Sequence, residues 1–313
     1  MHLANSALSP ECIAMTWAGA AAGVSLAASY ARKSGVNSAQ FATASKLTVL
    51  VLAAQMINVP VLDGASTHLI GGALLAWYLG PSLAALCMTS VLVVQTMILG
   101  DGGLAALGAN VINMALIPCL VVSLISSRSK SYSAVVWSTW LGIFAAAGGL
   151  VLQTISMTSS GTGDFAFRIL TNHVWAGLFE ATVTLAALAA LRVAADVQAK
   201  GRLDQTMLAA LFALILVVPF SSAIPDGYES AAATTGQAHL LHPYLESTEG
   251  MFSAGHFLQE IQHICVSAVS YISADNSLVL AVLAIYLCSV CNNFVVPRLL
   301  GRSRLAASIK TSV

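Results

Sequence analysis

The chain has 313 residues, of which 58% are hydrophobic and only 8% are charged, and its formal net charge is zero. Soluble domains carry about 25% charged residues, so these few charges cannot cover a water-facing surface of this size, and most of the outside must face lipid. A nucleic-acid partner is excluded, because phosphate binding needs a basic face. The composition therefore predicts an all-α membrane protein.

Nine apolar runs are candidates for membrane-spanning helices, which need about 20 mostly apolar residues each. They cover 12–31, 45–61, 66–80, 82–100, 104–126, 134–157, 171–194, 206–220 and 277–297. The third run is short and begins in a polar segment. A half-helix that enters and leaves on one side is therefore the alternative for this run.

The basic residues favour a third run that crosses the membrane, because cytoplasmic loops collect Lys and Arg. With nine crossings and the N-terminus outside, all of the 13 basic residues except Arg168 lie on the cytoplasmic side. Without the third crossing, Arg128 and Lys130 would move to the outer side. The sequence thus predicts a polytopic bundle of about nine spans, with the C-terminus in the cytoplasm and both residue 1 and the 63–68 loop outside.

Two polar stretches divide the predicted spans into seven plus two. The break at 198–204 is interpreted as a cytoplasmic linker, which gives a first unit at 1–198 and a second at 205–313. The second unit is expected to be a hairpin of two helices that carries a long external loop, 221–274.

The N-terminus carries a group of nitrogen donors. Residues 1–10 contain no Lys or Arg, unlike the start of a secretory signal, and the large second residue favours retention of Met1. The amine of Met1 and the amide and imidazole of His2 can then close two fused chelate rings around one cation. Nitrogen donors in a plane suit Ni(II) or Cu(II) better than Mg(II) or Ca(II). Because the amide must lose its proton, binding should weaken in acid.

A second histidine lies in the 63–68 loop, at the predicted outer mouth of the third helix. One imidazole from His68 would complete a plane of four nitrogens with Met1 and His2. A single histidine at a helix end also fits a structural role, so both interpretations remain open. Thr67 directly precedes this histidine and is a candidate for a residue that supports the metal ligands without binding the ion itself.

Polar side chains within predicted spans are costly and are therefore candidates for function. They are Gln55, Asn58, Gln95, Asn110, Asn113 and Glu180. Asn110 and Asn113 share a helix face, where they could orient a metal-binding loop or form hydrogen bonds between helices. Glu180 fits a transport or proton-relay element, with His173 two turns outward, and fits a paired structural carboxylate equally well.

The external loop is rich in histidine. It contains His239, His242, His256 and His263, and the last two share a helical face with Glu260. The loop could collect metal ions, or these could be exposed histidines without a ligand role. Elsewhere, Cys288 and Cys291 form a CxxC within an apolar run, where buried structural thiols are favoured over a metal or redox pair.

Several motifs resemble the CbiM/NikM family, the substrate-specific (S) components of energy-coupling factor importers for cobalt and nickel. Residues 54–61 read Ala-Gln-Met-Ile-Asn-Val-Pro-Val, residues 64–72 read Gly-Ala-Ser-Thr-His-Leu-Ile-Gly-Gly, and 79–81 read Leu-Gly-Pro. Residues 101–110 read Asp-Gly-Gly-Leu-Ala-Ala-Leu-Gly-Ala-Asn, and Asn-Met follows at 113–114. Phe-Glu-Ala at 179–181 resembles a weaker motif of the family's last helix.

The resemblance implies a metal site made by the amine of Met1, the amide and imidazole of His2 and the imidazole of His68. Its transported substrate would be Ni(II) or Co(II), between which the sequence does not decide. The family usually continues Ile-Pro-Asp-Gly after Met-His, whereas residues 3–6 here read Leu-Ala-Asn-Ser, in which Asn5 and Ser6 can still form a turn.

The second unit resembles the small partner subunit of the same importers, CbiN/NikN. Residues 225–229 read Pro-Asp-Gly-Tyr-Glu and are similar to its Pro-Asp-Gly-Leu-Glu motif. The resemblance thus implies that the two proteins are fused here. It also implies residence in a bacterial plasma (inner) membrane.

The sequence contains no nucleotide-binding loop of the GxxxxGK[ST] type, so the chain is not expected to hydrolyse ATP. The resemblance implies that a transmembrane coupling (T) subunit and cytoplasmic ATPase subunits would supply this activity. A membrane-embedded metalloenzyme that uses His68, His173 and Glu180 is an alternative, and it would need an open metal position and an activated water. A metal-sensing receptor is a third, for which no signalling domain is evident.

Overall fold

The protein is a bundle of helices with a short β hairpin near one end. The computed structural model describes residues 1–61, 64–159, 161–196, 210–211, 213–214, 217–242 and 254–273. The helices before residue 197 are α1 (Pro10–Lys33), α2 (Ser38–Gln55), α3 (Gly72–Leu79), α4 (Pro81–Val94), α5 (Leu107–Asn110), α6 (Ile117–Ser126), α7 (Tyr132–Thr154) and α8 (Thr162–Asp196). The helical class predicted from composition is therefore confirmed.

Shorter elements complete the described chain. Single turns of 3₁₀ helix cover Asn5–Ala7, Ile155–Met157, Val218–Phe220 and Ala238–Leu241, and π-helical turns cover Gln95–Leu99 and Val111–Leu116. Strands β1 (Val59–Pro60) and β2 (Ser66–Thr67) pair antiparallel, and the C-terminal part contributes α9 (Gly227–Thr234) and α10 (Ala254–Ser273).

The helix starts follow from local sequence. The Ser9 side chain accepts a hydrogen bond from the Cys12 amide, and Pro10 follows it at the first helical position, where no N–H is required. At the start of α2, Asn37 and Gln40 form a reciprocal capping box. These signals fix the helix starts independently of tertiary packing.

Five helices in the described part of the chain are long and apolar enough to cross a membrane: Pro10–Lys33, Pro81–Leu99, Leu107–Ser126, Tyr132–Met157 and Thr162–Leu191. Their outer faces carry large apolar side chains, such as Trp137, Leu152 and Phe167, which are more than half exposed. Exposure of this surface to water would cost about 25 cal/mol per Å². The chain is accordingly a membrane protein.

The third predicted span has an unexpected form. Its helix, α3, has only eight residues and so rises about 12 Å, whereas the hydrocarbon core is roughly 30 Å thick. Gly71, at φ 82°, stops this helix from starting earlier, and residues 56–61 and 64–71 contain no α-helix. The segment nevertheless reaches the opposite end of the bundle, where the Lys130 ammonium lies 5.5 Å from the Trp77 ring centre.

The second predicted span, 45–61, also differs from the structure. Its helix α2 ends at Gln55, after which the backbone of Asn58 forms hydrogen bonds with Ser221 and Ser222, and Pro60 lies in a strand. Of the eighth predicted span, 206–220, the structure describes residues 210–211, 213–214 and 217–220. The ninth, 277–297, lies wholly outside the described residues, together with Cys288 and Cys291. The count of nine spans and the orientation of the termini stay predictions.

The described C-terminal part packs on the first unit rather than apart from it. Helix α9 contacts α8, and α10 contacts the π-helical turn Gln95–Leu99. Tyr228 is completely buried and meets the ring of Phe165 edge-on, with centroids 6.2 Å apart. The division at 198–204 stays a prediction, because the structure does not describe residues 197–209.

Candidate metal site

The first eight residues, the N-terminal segment, lie buried at the end of the bundle. The Leu3 amide donates to the Asn110 side-chain oxygen at 2.9 Å. The Leu3 carbonyl accepts from the Asn110 side-chain amide at 3.3 Å and from the Gly103 backbone at 2.8 Å. Asn110 itself is fully buried. The α5 helix and the loop before it therefore fix the position of the residue that follows His2.

The chain turns at Asn5 and Ser6, as expected for the position where the family has Pro-Asp-Gly. Residues Asn5–Ala7 form a turn of 3₁₀ helix. The Asn5 side chain accepts from the Ala105 amide at 2.9 Å and donates to Gln262 at 3.1 Å. The Ser6 hydroxyl donates to the His242 carbonyl at 2.8 Å. Side-chain hydrogen bonds thus hold the turn in this chain.

The two predicted imidazole ligands come together, although 66 positions separate them in sequence. The rings of His2 and His68 are stacked, with centroids 5.4 Å apart and planes 17° from parallel. His2 Nδ1 lies 3.1 Å from a carboxylate oxygen of Asp101. His2 Nε2 is buried and has no hydrogen-bond partner among the described residues. His68 Nδ1 lies 3.1 Å from the Leu69 carbonyl.

The terminal amine of Met1 is also buried in this region and pairs with the carboxylate of Asp226. This aspartate belongs to the Pro-Asp-Gly-Tyr-Glu motif of the second unit. Burial alone would raise the pKa of Asp226. The adjacent Met1 ammonium, by attraction and hydrogen bonding, and the backbone N–H of Glu229 outweigh this effect and hold the pKa well below its usual range. The carboxylate therefore stays ionised beside the amine.

The segment that carries His68 is held from α8. Glu180 accepts the Ile70 amide with one carboxylate oxygen and the Gly71 amide with the other, both at 2.7 Å. Gln55 donates to the Ile70 carbonyl. These contacts supply partners for non-helical backbone within the bundle, which would otherwise be unpaired. Glu180 and Gln55 thus position the His68 segment, and Thr67 lies buried in β2 beside it.

Two cavities adjoin the imidazoles. A small one, of about 10 Å³, is enclosed by Met1, His68, His173 and Asp226, among others. The other, of about 270 Å³, is lined by residues of both units, including His2, Asp101, Asp226, Gln262 and His263. Met1 and His68 therefore adjoin the small cavity, and His2 adjoins the larger one.

The other polar residues predicted within spans contact several different parts of the protein. Asn113 exchanges hydrogen bonds with Gln153 at 2.7 and 3.2 Å, whereas Asn110, on the same face, reaches Leu3. The Asn58 backbone pairs with Ser221, and its side-chain oxygen is buried without a partner among the described residues. Gln95 lies buried at the start of the π-helical turn that α10 contacts.

The histidines of the external loop make different contacts. His239 Nε2 lies 2.9 Å from the Met157 carbonyl, and His242 uses its own carbonyl to accept from Ser6. His263 lines the larger cavity, and the side chain of His256 lies outside the described part. In that part, no group of three or more His, Cys, Asp or Glu residues could hold a metal ion. A metal-collecting role for this loop stays a prediction.

The alternative of a membrane metalloenzyme finds no support. Both oxygens of Glu180 accept backbone N–H groups, and His173 Nδ1 lies 2.7 Å from the Ile169 carbonyl. Both carboxylate oxygens of Glu180 and one ring nitrogen of His173 thus already contact backbone groups.

Three contacting residues had no place in the predicted site: Asp101, Asp226 and Gln262. Asp101 and Asp226 both occur in motifs that support the family resemblance, which was the available signal. Gln262 carried no signal, because a glutamine on an amphipathic helix is ordinary.

The fold and the site define a helical membrane protein with nitrogen donors gathered at one end. The family described as cobalt uptake substrate-specific transmembrane region, CbiM, matches residues 2–197. The chain therefore belongs to the CbiM/NikM family, with a fused C-terminal part.

Individual relatives agree with this assignment. The putative fused nickel transport protein NikMN of Archaeoglobus fulgidus is 35% identical over 199 residues, which cover 59% of this chain and 68% of that protein. The cobalt transport protein CbiM of Anoxybacillus flavithermus is 33% identical over 128 residues, 41% of this chain and 50% of that one. A crystal structure of a transition metal transporter is 27% identical, with a TM-score of 0.54, and covers 61% of this chain and 92% of that one.

Proposed function

We propose that this protein is the S component of an energy-coupling factor importer that captures Ni(II) or Co(II) as its substrate. The ligands are the amine of Met1, the amide nitrogen and imidazole of His2, and the imidazole of His68. The observation that carries the proposal is the stacking of the His2 and His68 rings beside the buried Met1, in a member of the cobalt-uptake family.

The chemistry of the donors supports this ligand set. The amine and the His2 amide nitrogen close a five-membered ring with a metal ion, and that amide and His2 Nδ1 close a six-membered one. Metal–imidazole bonds are about 2.0–2.1 Å long and lie near the ring plane, so one of the two stacked rings must turn before both can bind one ion. Because Nδ1 has a single lone pair, His2 must exchange its contact with Asp101 for the ion.

The proposal includes partners and a location. The chain would capture the ion at the outer face of a bacterial plasma membrane. A transmembrane coupling (T) subunit and cytoplasmic ATPase subunits would drive its release inside. Support comes from the family assignment and from the basic residues near Lys130, at the end of the bundle opposite the donors.

An extension of the N-terminus by one residue tests the metal site. It displaces the amine from Met1 while leaving the bundle unchanged, so the full chain should lose its high-affinity binding of Ni(II) and Co(II). Binding by the native end should also weaken as pH falls, because amine, amide and imidazoles must all be deprotonated. Metal content and titration of the two purified forms provide the measurement. Equal binding by both forms would overturn the proposed site.

A further inference from the structure

The fused C-terminal part contributes a carboxylate to the N-terminal amine, and none of the proposed metal ligands comes from this part. We infer that Asp226 is a positioning residue of the metal site, which holds the Met1 amine both before and after the ion binds. This inference rests on the proposed function. It assigns a role to the Pro-Asp-Gly-Tyr-Glu motif, which the ligand set leaves without one.

The position of the Asp226 carboxylate is set by helix α9. One oxygen, Oδ1, accepts from the backbone N–H of Tyr228 at 2.8 Å and of Glu229 at 2.9 Å, so Asp226 caps the helix. The Glu229 side chain accepts from the Asp226 amide at 3.0 Å and completes a capping box. These contacts fix the side-chain rotamer and direct the other oxygen, Oδ2, to the Met1 amine.

The same motif is tied to the strand that precedes His68. The Ser66 amide donates to the Pro225 carbonyl at 2.8 Å, and the Ser66 hydroxyl donates to the Ile224 carbonyl at 2.6 Å. Ser66 and Asp226 thus lie side by side in a parallel bridge. Since His68 follows two residues later, Asp226 fixes the amine relative to the second imidazole.

Hydrogen counting shows why Asp226 can keep its contact when a metal ion binds. An ammonium has three N–H groups; binding replaces one with a metal–nitrogen bond, releases that proton to solvent, and leaves two that can still be donated. His2 Nδ1 can make only one such contact, so it must give up Asp101 when it binds the ion. The Met1 amine, in contrast, can keep its contact with Asp226. Groups that hydrogen-bond to a metal ligand in this way orient the ligand and raise its basicity.

The charges agree with this assignment. Before binding, the carboxylate and the ammonium together are neutral. After binding, a divalent ion with one deprotonated amide carries one positive charge, which Asp226 again balances. Buried charges are tolerated only when they are paired, so one carboxylate serves both states.

Asp226→Asn isolates this contact in the full chain. Asparagine still caps α9 with its oxygen, but it then turns an NH₂ group toward the amine, so donor faces donor. The affinity for Ni(II) and Co(II) should fall about 10- to 100-fold. Glu229→Gln is the control, because it keeps an acceptor in the capping box and does not touch the amine. Its affinity should be unchanged.

A double-mutant cycle with the one-residue N-terminal extension separates positioning from general structure. In the extended chain, which lacks the amine at the site, Asp226→Asn should have no further effect on residual binding. In metal-free protein with the native end, the same substitution should speed acylation of the Met1 amine by a small reagent. Asp226→Ser, another good cap, should behave like Asp226→Asn and serves if the asparagine variant folds poorly.

The outcomes distinguish the two proposals. Loss of binding on extension, with unchanged binding in Asp226→Asn, would overturn the role of Asp226 and leave the metal site intact. An equal decrease in affinity for Asp226→Asn and Glu229→Gln would also overturn it, since the helix rather than the carboxylate would then matter. Equal binding by native and extended chains would overturn the metal site itself.

Discussion

Asn110 bonds to both backbone groups of Leu3, the residue directly after the proposed ligand His2. Its side chain is fully buried, so water cannot replace these hydrogen bonds when they are lost. The position of the chelating nitrogens thus depends on an amide that does not itself bind the ion. Asp101, at 3.1 Å from His2 Nδ1, acts on the same ligand from the open cavity.

Asn110→Ala should therefore weaken metal binding. The buried Leu3 N–H would lose its partner, at a cost of roughly 1–3 kcal/mol, whereas the Leu3 carbonyl keeps its bond from Gly103. The N-terminal segment should become less ordered. Asn113→Ala is the matched control, because Asn113 lies on the same helix face but pairs with Gln153. Both variants should unfold at lower temperature, whereas only Asn110→Ala should lose affinity for Ni(II) or Co(II) in a titration. Equal loss in both would contradict the prediction.

At the scale of elements, the loop between α4 and α5 comes very close to the N-terminal segment. A Cβ atom at Gly103 would lie 2.4 Å from the backbone nitrogen of Asn5, where nothing but a shift of the backbone could relieve the clash. Only glycine fits this approach. The loop and the segment are consequently a matched pair of surfaces, and the turn at Asn5 depends on this packing as much as on its own residues.

Gly103→Ala should push the N-terminal segment away from the loop and lower metal affinity. The comparison variant is Gly148→Ala, since a Cβ at Gly148 in α7 meets nothing within 4 Å. Alanine there should be neutral or slightly stabilising, because glycine in a helix is less favourable by roughly 0.5–1 kcal/mol. Thermal unfolding and metal titration of the two variants provide the test. Normal metal binding by Gly103→Ala would show that the close approach is dispensable.

On the scale of the whole molecule, the two units meet around one side chain of α10. The Gln262 amide accepts from Asn5 at 3.1 Å and from the Leu104 backbone at 2.8 Å. It donates to the carbonyls of Thr96 at 3.1 Å and Gly102 at 2.8 Å. A helix of the C-terminal part thus bonds to the N-terminal segment, to the start of the π-helical turn and to the loop that carries Asp101.

Gln262→Leu should loosen this junction without changing the spans. It leaves several buried groups unpaired, at roughly 1–3 kcal/mol each, so backbone hydrogen exchange at 101–105 should become faster. Glu260→Gln, at an exposed position on the same helix, is the control. Hydrogen-exchange mass spectrometry of the full chain provides the measurement. Unchanged exchange at 101–105 in Gln262→Leu would refute the role of this contact.

Much of the architecture could be predicted because apolar runs and caps are local signals. Helices α1, α4, α7 and α8 start or end within a few residues of the predicted spans, except that α8 begins nine residues early, at Thr162. The Met1-His2 start and His68 were likewise visible as isolated donors. The form of the third span was not predictable, because non-helical backbone inside a bundle depends on distant partners, such as the Glu180 carboxylate that accepts from Ile70 and Gly71.

The sequence alone determined that this is a helical membrane protein, which family its motifs resemble, and which nitrogens can chelate an ion. Composition and short motifs are sufficient for these conclusions. Only the tertiary structure decided that His2 stacks on His68, and that the Met1 amine pairs with Asp226, 225 positions away. No local pattern specifies such a pair. It depends on the packing of α9 against α8, which brings the second unit to the N-terminus.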